Sequence, residues 1–323
     1  MNWSSPITKP LVRALARHRT AVFVFHSIPE RTVDPVTGQP YSEMFGKVLD
    51  LIVAHFEVVP LSEAMARLRN GRPSDGTACI TFDDGYVDWP DTVCPILQAR
   101  KLPATFFVTT SQLDGAPLWS ERISYALQHC PGNELQIPHP AIGRLDLSTP
   151  ARRLAAAEQL TAFLKYLRVP FRDDLIARIE EMAQVSLEQV PRFTEGHLRS
   201  VHGMGFDIGS HTVAHPILTY CDEAESLAEI QGCRERLQSL LDADVPHFAY
   251  PNGKPMADFS DRDIRLVKRA GYTGAVTTAL GTAPQGISPF QVPRFTPWAR
   301  TDFQMSRQLI GNLIKRGEQL QER

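Results

Sequence analysis

Residues 78–86 have the sequence ACITFDDGY, an apolar run that ends in two adjacent acids and a glycine. The run from Ala78 to Phe82 has the length and composition of a buried β-strand. Charges at the end of a buried strand are costly unless a metal ion, a hydrogen-bond donor or another charge compensates them. Asp83 and Asp84 therefore indicate either a functional site or, alternatively, an Asp-Asp-Gly turn.

A second motif lies far away in the sequence. Residues 210–216 have the sequence SHTVAHP and place His211 and His215 four residues apart, directly after a predicted strand over 206–210. One aspartate with two histidines is a common ligand set for a divalent metal, and it leaves coordination positions open for water and substrate. One histidine could instead cap a helix while the other lies on the surface, but the two motifs together favour a metal site.

Strands and helices alternate around both motifs, and this order predicts a parallel sheet with its sites at the carboxyl ends of the strands. The predicted strands are 21–25, 56–59, 78–82, 104–108, 206–210, 247–250, 274–277 and 292–295. Polar groups follow several of them, namely His26, Asp83, Asp84, His211, His215, Asn252 and Arg294. In a closed or nearly closed barrel these side chains converge on one face.

The alternation is interrupted between residues 115 and 202, where helical spacing prevails and no strand is predicted. We interpret this segment as a helical insertion within a single domain over 1–323, which either recognises substrate or covers part of the barrel. An amphipathic C-terminal helix is predicted over 302–323. Turn-forming residues predict a loop over 31–39 and a turn over 72–76.

Composition excludes some classes of function. The net charge is −2 and the basic residues are scattered, which argues against a nucleic-acid partner. No apolar run is long enough to span a membrane, and no secretory signal is recognisable. The five cysteines are odd in number and form no CxxC pair, as is typical of a reducing compartment. We therefore expect a cytoplasmic protein.

Charge alone suggests roles for these groups. One carboxylate ligates the metal with His211 and His215, and the other accepts a proton from the attacking water, whose pKa a metal lowers from 15.7 to about 7. The backbone N–H of Asn252, in a Pro-Asn-Gly turn, is a candidate oxyanion donor worth about 3 kcal/mol. His26 has a suitable unperturbed pKa to protonate a leaving amine. The alternative for His26 is a core histidine bonded to the backbone.

Three motifs resemble those of the polysaccharide deacetylase family, also called NodB-homology or carbohydrate esterase 4. They are TFDDG at 81–85, SHTVAHP at 210–216 and FAYPNG at 248–253. The resemblance implies an α/β fold, a distorted (β/α)7 barrel, and a hydrolase that removes N-acetyl groups from an amino sugar with a divalent metal, usually zinc. The implied substrate is an acetylated amino-sugar glycan. Many relatives are exported or anchored, and because no such signal is recognisable here, an intracellular nucleotide-linked or lipid-linked glycan precursor is a second candidate.

The resemblance also implies individual roles. Asp83 would be the general base, and Asp84 would hold the metal with the two histidines. Asn252 and Tyr250 of the third motif would serve the oxyanion and the substrate. His26 resembles the early-strand histidine of members whose acid motif lies on the N-terminal side.

Two departures from the family pattern leave alternatives open. The third motif often carries an arginine that pairs with the base, but Ala249 stands there, and no Leu-x-His acid motif occurs near the C-terminus. Arg294 either replaces that arginine by reaching the same pocket or lies in a surface loop. The missing arginine motivates the hypothesis of a catalytically silent carbohydrate-binding barrel. A phosphatase with an aspartate nucleophile is the third hypothesis, which the adjacent aspartates support only superficially.

Overall fold

The structure, a computed structural model, describes residues 8–30, 41–71, 76–296, 302–315 and 317–321. The chain divides into two compact units. The larger unit comprises Met1–Thr110 and Glu195–Arg323, and the smaller comprises Ser111–Thr194.

The larger unit is built on a curled sheet of short, buried strands. Their bounds are β1 Arg19–Phe25, β2 Glu57–Val58, β3 Thr77–Asp84, β4 Thr105–Val108, β7 Asp207–Ser210, β8 His247–Ala249, β9 Gly274–Val276 and β10 Ala283–Pro284. The order is β10-β1-β3-β4-β7-β8-β9, with β2 beside the first half of β3. All neighbours are parallel except β10, which runs antiparallel to β1. This is the predicted distorted (β/α)7 barrel.

Helices connect these strands in the predicted alternation. They are α1 Thr8–Leu15, α2 Ser42–His55, α3 Leu61–Arg69, α4 Cys94–Gln98, α8 Glu195–Gly203, α9 Glu223–Leu241, α10 Asp261–Arg269 and α11 Asp302–Ile314. A π-helix, Trp89–Val93, leads into α4. The spacing of Asp222 and Glu225 in the sequence predicts a capping box, and α9 begins with one, since Asp222 accepts from the Glu225 N–H and the Glu225 side chain accepts from the Asp222 N–H.

The predicted last strand over 292–295 is not a regular strand. Val292 forms a parallel bridge with Val276 of β9, and Phe295 forms one with Phe23 of β1. These single bridges connect the segment to β9 on one side and to β1 on the other. The segment therefore takes the place of a strand between them but forms no continuous hydrogen-bond ladder. Pro293 lacks the N–H that such a ladder would need.

The smaller unit contains α5 Trp119–His129, α6 Pro150–Leu164, α7 Val169–Ala183 and an antiparallel pair, β5 Glu134–Gln136 with β6 Arg144–Asp146. Arg122 and Glu180 form a bidentate ion pair between α5 and α7, at 2.7 and 2.8 Å. The Arg172 guanidinium lies 5.0 Å from the centre of the Trp119 ring. Apolar side chains from all three helices and from the β-pair share one buried cluster.

Several expectations for this region need correction. The segment over 115–202 is not wholly helical, because the short pair β5–β6 lies within it. The compact unit runs from 111 to 194, and α8 belongs to the larger unit. Helix α11 ends at Ile314 rather than at residue 323, and residues 317–321 are not helical. The loop over 31–39 and nearly all of the turn over 72–76 lie outside the described residues, and the single domain over 1–323 stays a prediction.

Candidate metal centre and catalytic site

The two aspartates occupy the carboxyl end of β3, near the middle of the sheet. Asp83 pairs in register with Phe107 of β4, and Asp84 pairs with Val108. At Asp84 the backbone enters the left-handed region, with φ of 86°, and Gly85 follows with φ of 108°. Such a backbone angle is costly for a residue with a side chain and is concentrated at functional sites. It turns the chain out of the sheet directly after the second carboxylate.

The histidines follow β7, which lies one strand beyond β4. The His211 N–H continues the ladder by donating to the Val108 carbonyl at 3.0 Å. The chain then reverses through Thr212, whose φ is 66°, and His215, whose φ is 53°. The Thr212 hydroxyl accepts from the His215 N–H at 3.1 Å. This tight loop brings the second imidazole back beside the first.

Asp84, His211 and His215 form a compact set of possible metal ligands. The Oδ1 atom of Asp84 lies 3.3 Å from Nε2 of His211 and 3.4 Å from Nε2 of His215. The three ligand atoms lie within 4.8 Å of one another. The Nδ1 atom of His211 lies 2.8 Å from the Ala249 carbonyl, which leaves Nε2 to face the carboxylate. This donor set fits a divalent transition metal.

Burial and charge act in opposite directions on these groups. Burial by itself would raise the pKa of Asp84, but its hydrogen bond to His211 and the charge of His215 hold that pKa below the ordinary value. Burial would lower the pKa of His211, and the charges of Asp83 and Asp84 raise it instead. Attraction between the carboxylates and the imidazoles therefore outweighs the effect of burial on the pKa of both groups.

Asp83 is paired with Arg294, which joins it from the far end of the sequence. Both side chains are almost completely buried. Arg294 Nη1 donates to Asp83 Oδ1 at 2.7 Å, and Nη2 donates to Oδ2 at 2.6 Å. This bidentate geometry is the strongest form of an arginine–carboxylate pair. Arg294 therefore lies in the same pocket as Asp83, as one of the two alternatives predicted, and not in a surface loop.

The guanidinium is itself held on several sides. Its Nε donates to the Thr277 carbonyl at 3.1 Å, and Nη1 also donates to the Thr81 hydroxyl at 3.1 Å. The central carbon of the guanidinium, Cζ, lies 5.5 Å from the centre of the Phe107 ring. Burial would raise the pKa of Asp83, but the Arg294 charge, followed by that of His211, holds the pKa below its usual range. Asp83 is thus kept ionised in a nearly dry environment.

His26 follows β1 directly, at the same end of the sheet. Its carbonyl accepts a hydrogen bond from the Trp89 indole at 3.0 Å. In its charged form the imidazole is among the smaller causes that lower the pKa of Asp83 and Asp84. The side chain is partly exposed, which a residue that meets substrate requires.

Asn252 and Gly253 form the predicted turn after β8, with φ of 56° and 69°. The turn is tied to the segment after β9, because Thr278 donates its hydroxyl to the Asn252 carbonyl and its N–H to the Gly253 carbonyl. Among the described residues the Asn252 N–H meets no acceptor.

Tyr250 does not present its side chain to the site. It is fully buried, stacks on Phe259 at 3.9 Å between ring centres, and donates its hydroxyl to the Phe290 carbonyl at 3.2 Å. The prediction that Tyr250 contacts the substrate is therefore not supported for its side chain. The aromatic ring packs in the core because its hydroxyl finds a backbone acceptor there.

Two acidic residues near the site were not predicted. The Asp88 carboxylate accepts hydrogen bonds from the Ser27 hydroxyl, at 2.7 Å, and from the Ile28 N–H, and so fixes the segment after His26. Glu229 of α9 accepts two N–H groups of the histidine loop. Neither belongs to a recognisable motif, because each binds backbone that is distant in sequence.

Comparison with known proteins identifies the family. The chain matches the family described as "Polysaccharide deacetylase" over residues 70–130 and 175–275, which together make up half of its length. The chain belongs to the polysaccharide deacetylase family, whose members are metal-dependent hydrolases that remove N-acetyl groups by cleaving amide bonds. The matched ranges contain the aspartates, both histidines and Asn252, whereas His26 and Arg294 lie outside them.

Solved structures of deacetylases share the fold. The deacetylase PplD of Streptococcus pyogenes, determined in complex with acetate, aligns with a TM-score of 0.60 at 15% identity, over 91% of this chain and 98% of its own. IcaB from Ammonifex degensii also gives 0.60 at 15% identity, over 92% and 97%. A de-N-acetylase from Aggregatibacter actinomycetemcomitans gives 0.55 at 16% identity, over 90% and 99%. Curated protein sequences gave no match.

Proposed function

We propose that this protein is a metal-dependent N-deacetylase that hydrolyses the acetamide of an acetylated amino sugar in a glycan or a glycan precursor. One observation carries the proposal. The ligand atoms of Asp84, His211 and His215 lie within 4.8 Å of one another, beside the ionised carboxylate of Asp83. Family membership supports the reaction class, and the roles below rest on the geometry.

Asp84, His211 and His215 would hold the cation, and zinc suits this set of nitrogen and oxygen ligands. A cation in this position polarises the amide carbonyl and lowers the pKa of water from 15.7 to about 7. The protein's own contribution is to keep the imidazole nitrogens turned toward the carboxylate, as the Ala249 carbonyl does for His211.

In this proposal Asp83 accepts the proton of the attacking water. Arg294 keeps that carboxylate ionised and fixes its orientation through two hydrogen bonds. The N–H of Asn252 donates to the oxyanion that forms when water adds to the carbonyl. His26 gives a proton to the sugar nitrogen as the carbon–nitrogen bond breaks. The products are acetate and the free amine.

Two single substitutions test this proposal on purified protein. For Asp83→Asn we expect acetate release from N-acetylated amino-sugar oligomers to fall by about 10²–10⁴-fold, the usual worth of a general base, while the metal stays bound. For His211→Ala we expect near-stoichiometric divalent metal to be lost, as measured by elemental analysis. Undiminished acetate release by the Asp83 variant would remove this residue as the base.

A catalytically silent carbohydrate-binding barrel is less well supported. It was motivated by the absence of an arginine beside the base, and Arg294 stands in that position from another part of the chain. That hypothesis would be supported if the protein bound metal and glycan but released no acetate from any acetylated amino sugar.

The finer description of substrate and location stays a prediction. No helix in the described ranges has the length and apolar character needed to cross a bilayer. We propose that the substrate is an acetylated amino-sugar glycan or its nucleotide-linked or lipid-linked precursor, and that the protein acts in the cytoplasm. Fractionation of cells that express the tagged full-length protein checks the location.

A further inference from the structure

The loop that carries both histidines is held in an unfavourable backbone conformation. Thr212 and His215 both have φ in the left-handed region, at 66° and 53°, although neither is glycine. Each such residue costs on the order of 1–3 kcal/mol and persists only where its surroundings hold it. Contacts with the rest of the chain must therefore hold the backbone of the loop between the two proposed metal ligands.

A single carboxylate oxygen meets the middle of the loop. Glu229 Oε2 accepts a hydrogen bond from the Val213 N–H at 2.9 Å and another from the Ala214 N–H at 2.8 Å. Successive backbone N–H groups that point to one place form a small anion-binding concavity. Here the anion is part of the protein.

Helix α9 holds this carboxylate in place. The capping box of Asp222 and Glu225 fixes the start of the helix, about two turns before Glu229. Ile230 and Cys233 are fully buried, and Cys233 Sγ donates to the Val108 carbonyl of β4. A Cβ built on Gly232 would lie only 3.5 Å from the Val213 side chain, so helix and loop are in close contact.

We infer that Glu229 is a positioning residue for the metal centre. It does not belong to the ligand set, and it acts by fixing the loop so that His215 Nε2 faces Asp84. The inference rests on the proposed function in one respect only, that Asp84, His211 and His215 bind a cation. Loss of a group that orients a metal ligand typically weakens metal affinity by about 10–100-fold.

Three substitutions at this position separate geometry from charge. Since the same oxygen accepts both N–H groups, Glu229→Gln retains a suitable acceptor and removes the charge. Glu229→Leu removes both, and Glu229→Asp keeps the charge but withdraws the oxygen by one methylene. Glu235→Leu is the matched control, because this exposed glutamate of α9 accepts, from the residues that the structure describes, only the Gln231 side-chain N–H.

The measurement is Zn²⁺ affinity of the metal-free protein, by competition with a chromophoric chelator and without substrate. We expect the Gln variant and the Glu235→Leu control to remain within about threefold of the original protein, whereas the Leu and Asp variants bind about 10–100-fold more weakly. Circular dichroism of the metal-free variants shows whether they are folded. If Glu229→Leu does not fold, the comparison of Glu229→Gln with Glu229→Asp tests the inference.

Unchanged Zn²⁺ affinity in folded Glu229→Leu or Glu229→Asp would overturn the inference. So would a Gln variant as weak as the Leu variant, since charge rather than hydrogen bonding would then be the cause. Failure of the proposed function has a different signature. The original protein would bind Zn²⁺ tightly and Glu229→Leu weakly, while no acetylated sugar released acetate.

Discussion

At the scale of single residues, the buried pair of Asp83 and Arg294 links stability to chemistry. A general base in a dry pocket tends to take up a proton, because burial disfavours the charged form. The guanidinium reverses this tendency and holds the pKa of Asp83 below its usual range. It also fixes both carboxylate oxygens, so that the proposed base keeps one orientation.

The buried pair predicts a marked non-additivity in stability. Arg294→Met leaves an unpaired buried carboxylate, and Asp83→Leu leaves an unpaired guanidinium. We expect each to lower the free energy of unfolding by about 3–5 kcal/mol, and the double variant to lose much less than the sum. Urea unfolding of the metal-free protein measures all three. Additive losses would show that the two side chains are not coupled.

His26 can be tested through the leaving group. For His26→Gln we expect hydrolysis of an N-acetyl amine to fall by about 10²–10⁴-fold, because the departing nitrogen needs a proton. The p-nitrophenolate that leaves from p-nitrophenyl acetate needs no proton, so hydrolysis of this ester should change by less than about tenfold. His18→Gln, at the opposite end of β1, is the control for both substrates. Equal losses on the amide and the ester would argue for a structural role.

At the scale of elements, the turn after β8 is shaped by close contact with the segment after β9. Gly253 has φ of 69°, and a Cβ there would lie 2.8 Å from the Thr278 nitrogen and 3.0 Å from the Tyr250 oxygen. Only glycine fits this position without displacement. This contact leaves the turn of Asn252 and Gly253 little conformational freedom.

The turn predicts a loss of both stability and rate on substitution. For Gly253→Ala we expect unfolding to become easier by at least about 1–3 kcal/mol, and kcat to fall because the Asn252 N–H is displaced from the oxyanion. Gly286→Ala is the matched control, since its φ of 82° is similar but no atom lies within 4 Å of the added carbon. That variant should keep its full kcat. Equal kcat values in the two variants would contradict this role of the turn.

Element-scale prediction from sequence was successful where periodicity was strong. The apolar run of β3 and the capping box of α9 are local signals, and both correspond to observed elements. The segment over 292–295 was predicted as a strand, but its residues make only isolated bridges, because strand pairing is decided by neighbours rather than by composition. The pair β5–β6 was missed because three-residue strands carry too little alternation to detect.

At the scale of the whole molecule, the amino ends of the strands lie opposite the candidate site and carry a buried histidine. His247 begins β8 and is 2% exposed. Burial, with the charge of Arg69, lowers its pKa from 6.5 to about 4, and the charge of Asp244 opposes this. The imidazole is therefore neutral in the folded protein at pH values where it would be protonated in the unfolded chain.

This histidine predicts a loss of stability in mild acid. Between pH 6.5 and pH 4 the unfolded chain binds the proton more readily than the folded protein, so stability falls as the pH falls through that range. We expect His247 to contribute about 2 kcal/mol to the loss between pH 7 and pH 5. Urea unfolding of the metal-free protein at both values measures it, with His247→Gln showing a correspondingly smaller change. An unchanged pH dependence in that variant would exclude His247 as the cause.

The sequence by itself determined the parallel α/β architecture and which residues form the candidate metal set. Apolar runs that end in polar groups are local features, and parallel strands bring their carboxyl ends to one edge whatever lies between them. For the same reason Asp83, Asp84, His211 and His215 could be grouped although more than 120 residues separate the two motifs.

Only the tertiary structure decided which side chains complete the site. Arg294 reaches Asp83 because residues 292–295 bridge β9 and β1, and no local pattern encodes that closure. Glu229 and Asp88 bind backbone N–H groups, which leave no trace in the sequence of their partners. Tyr250 belongs to a recognised motif, yet its ring lies in the core. Burial and hydrogen-bond partners depend on the packing of the whole chain, whereas periodicity depends only on neighbouring residues.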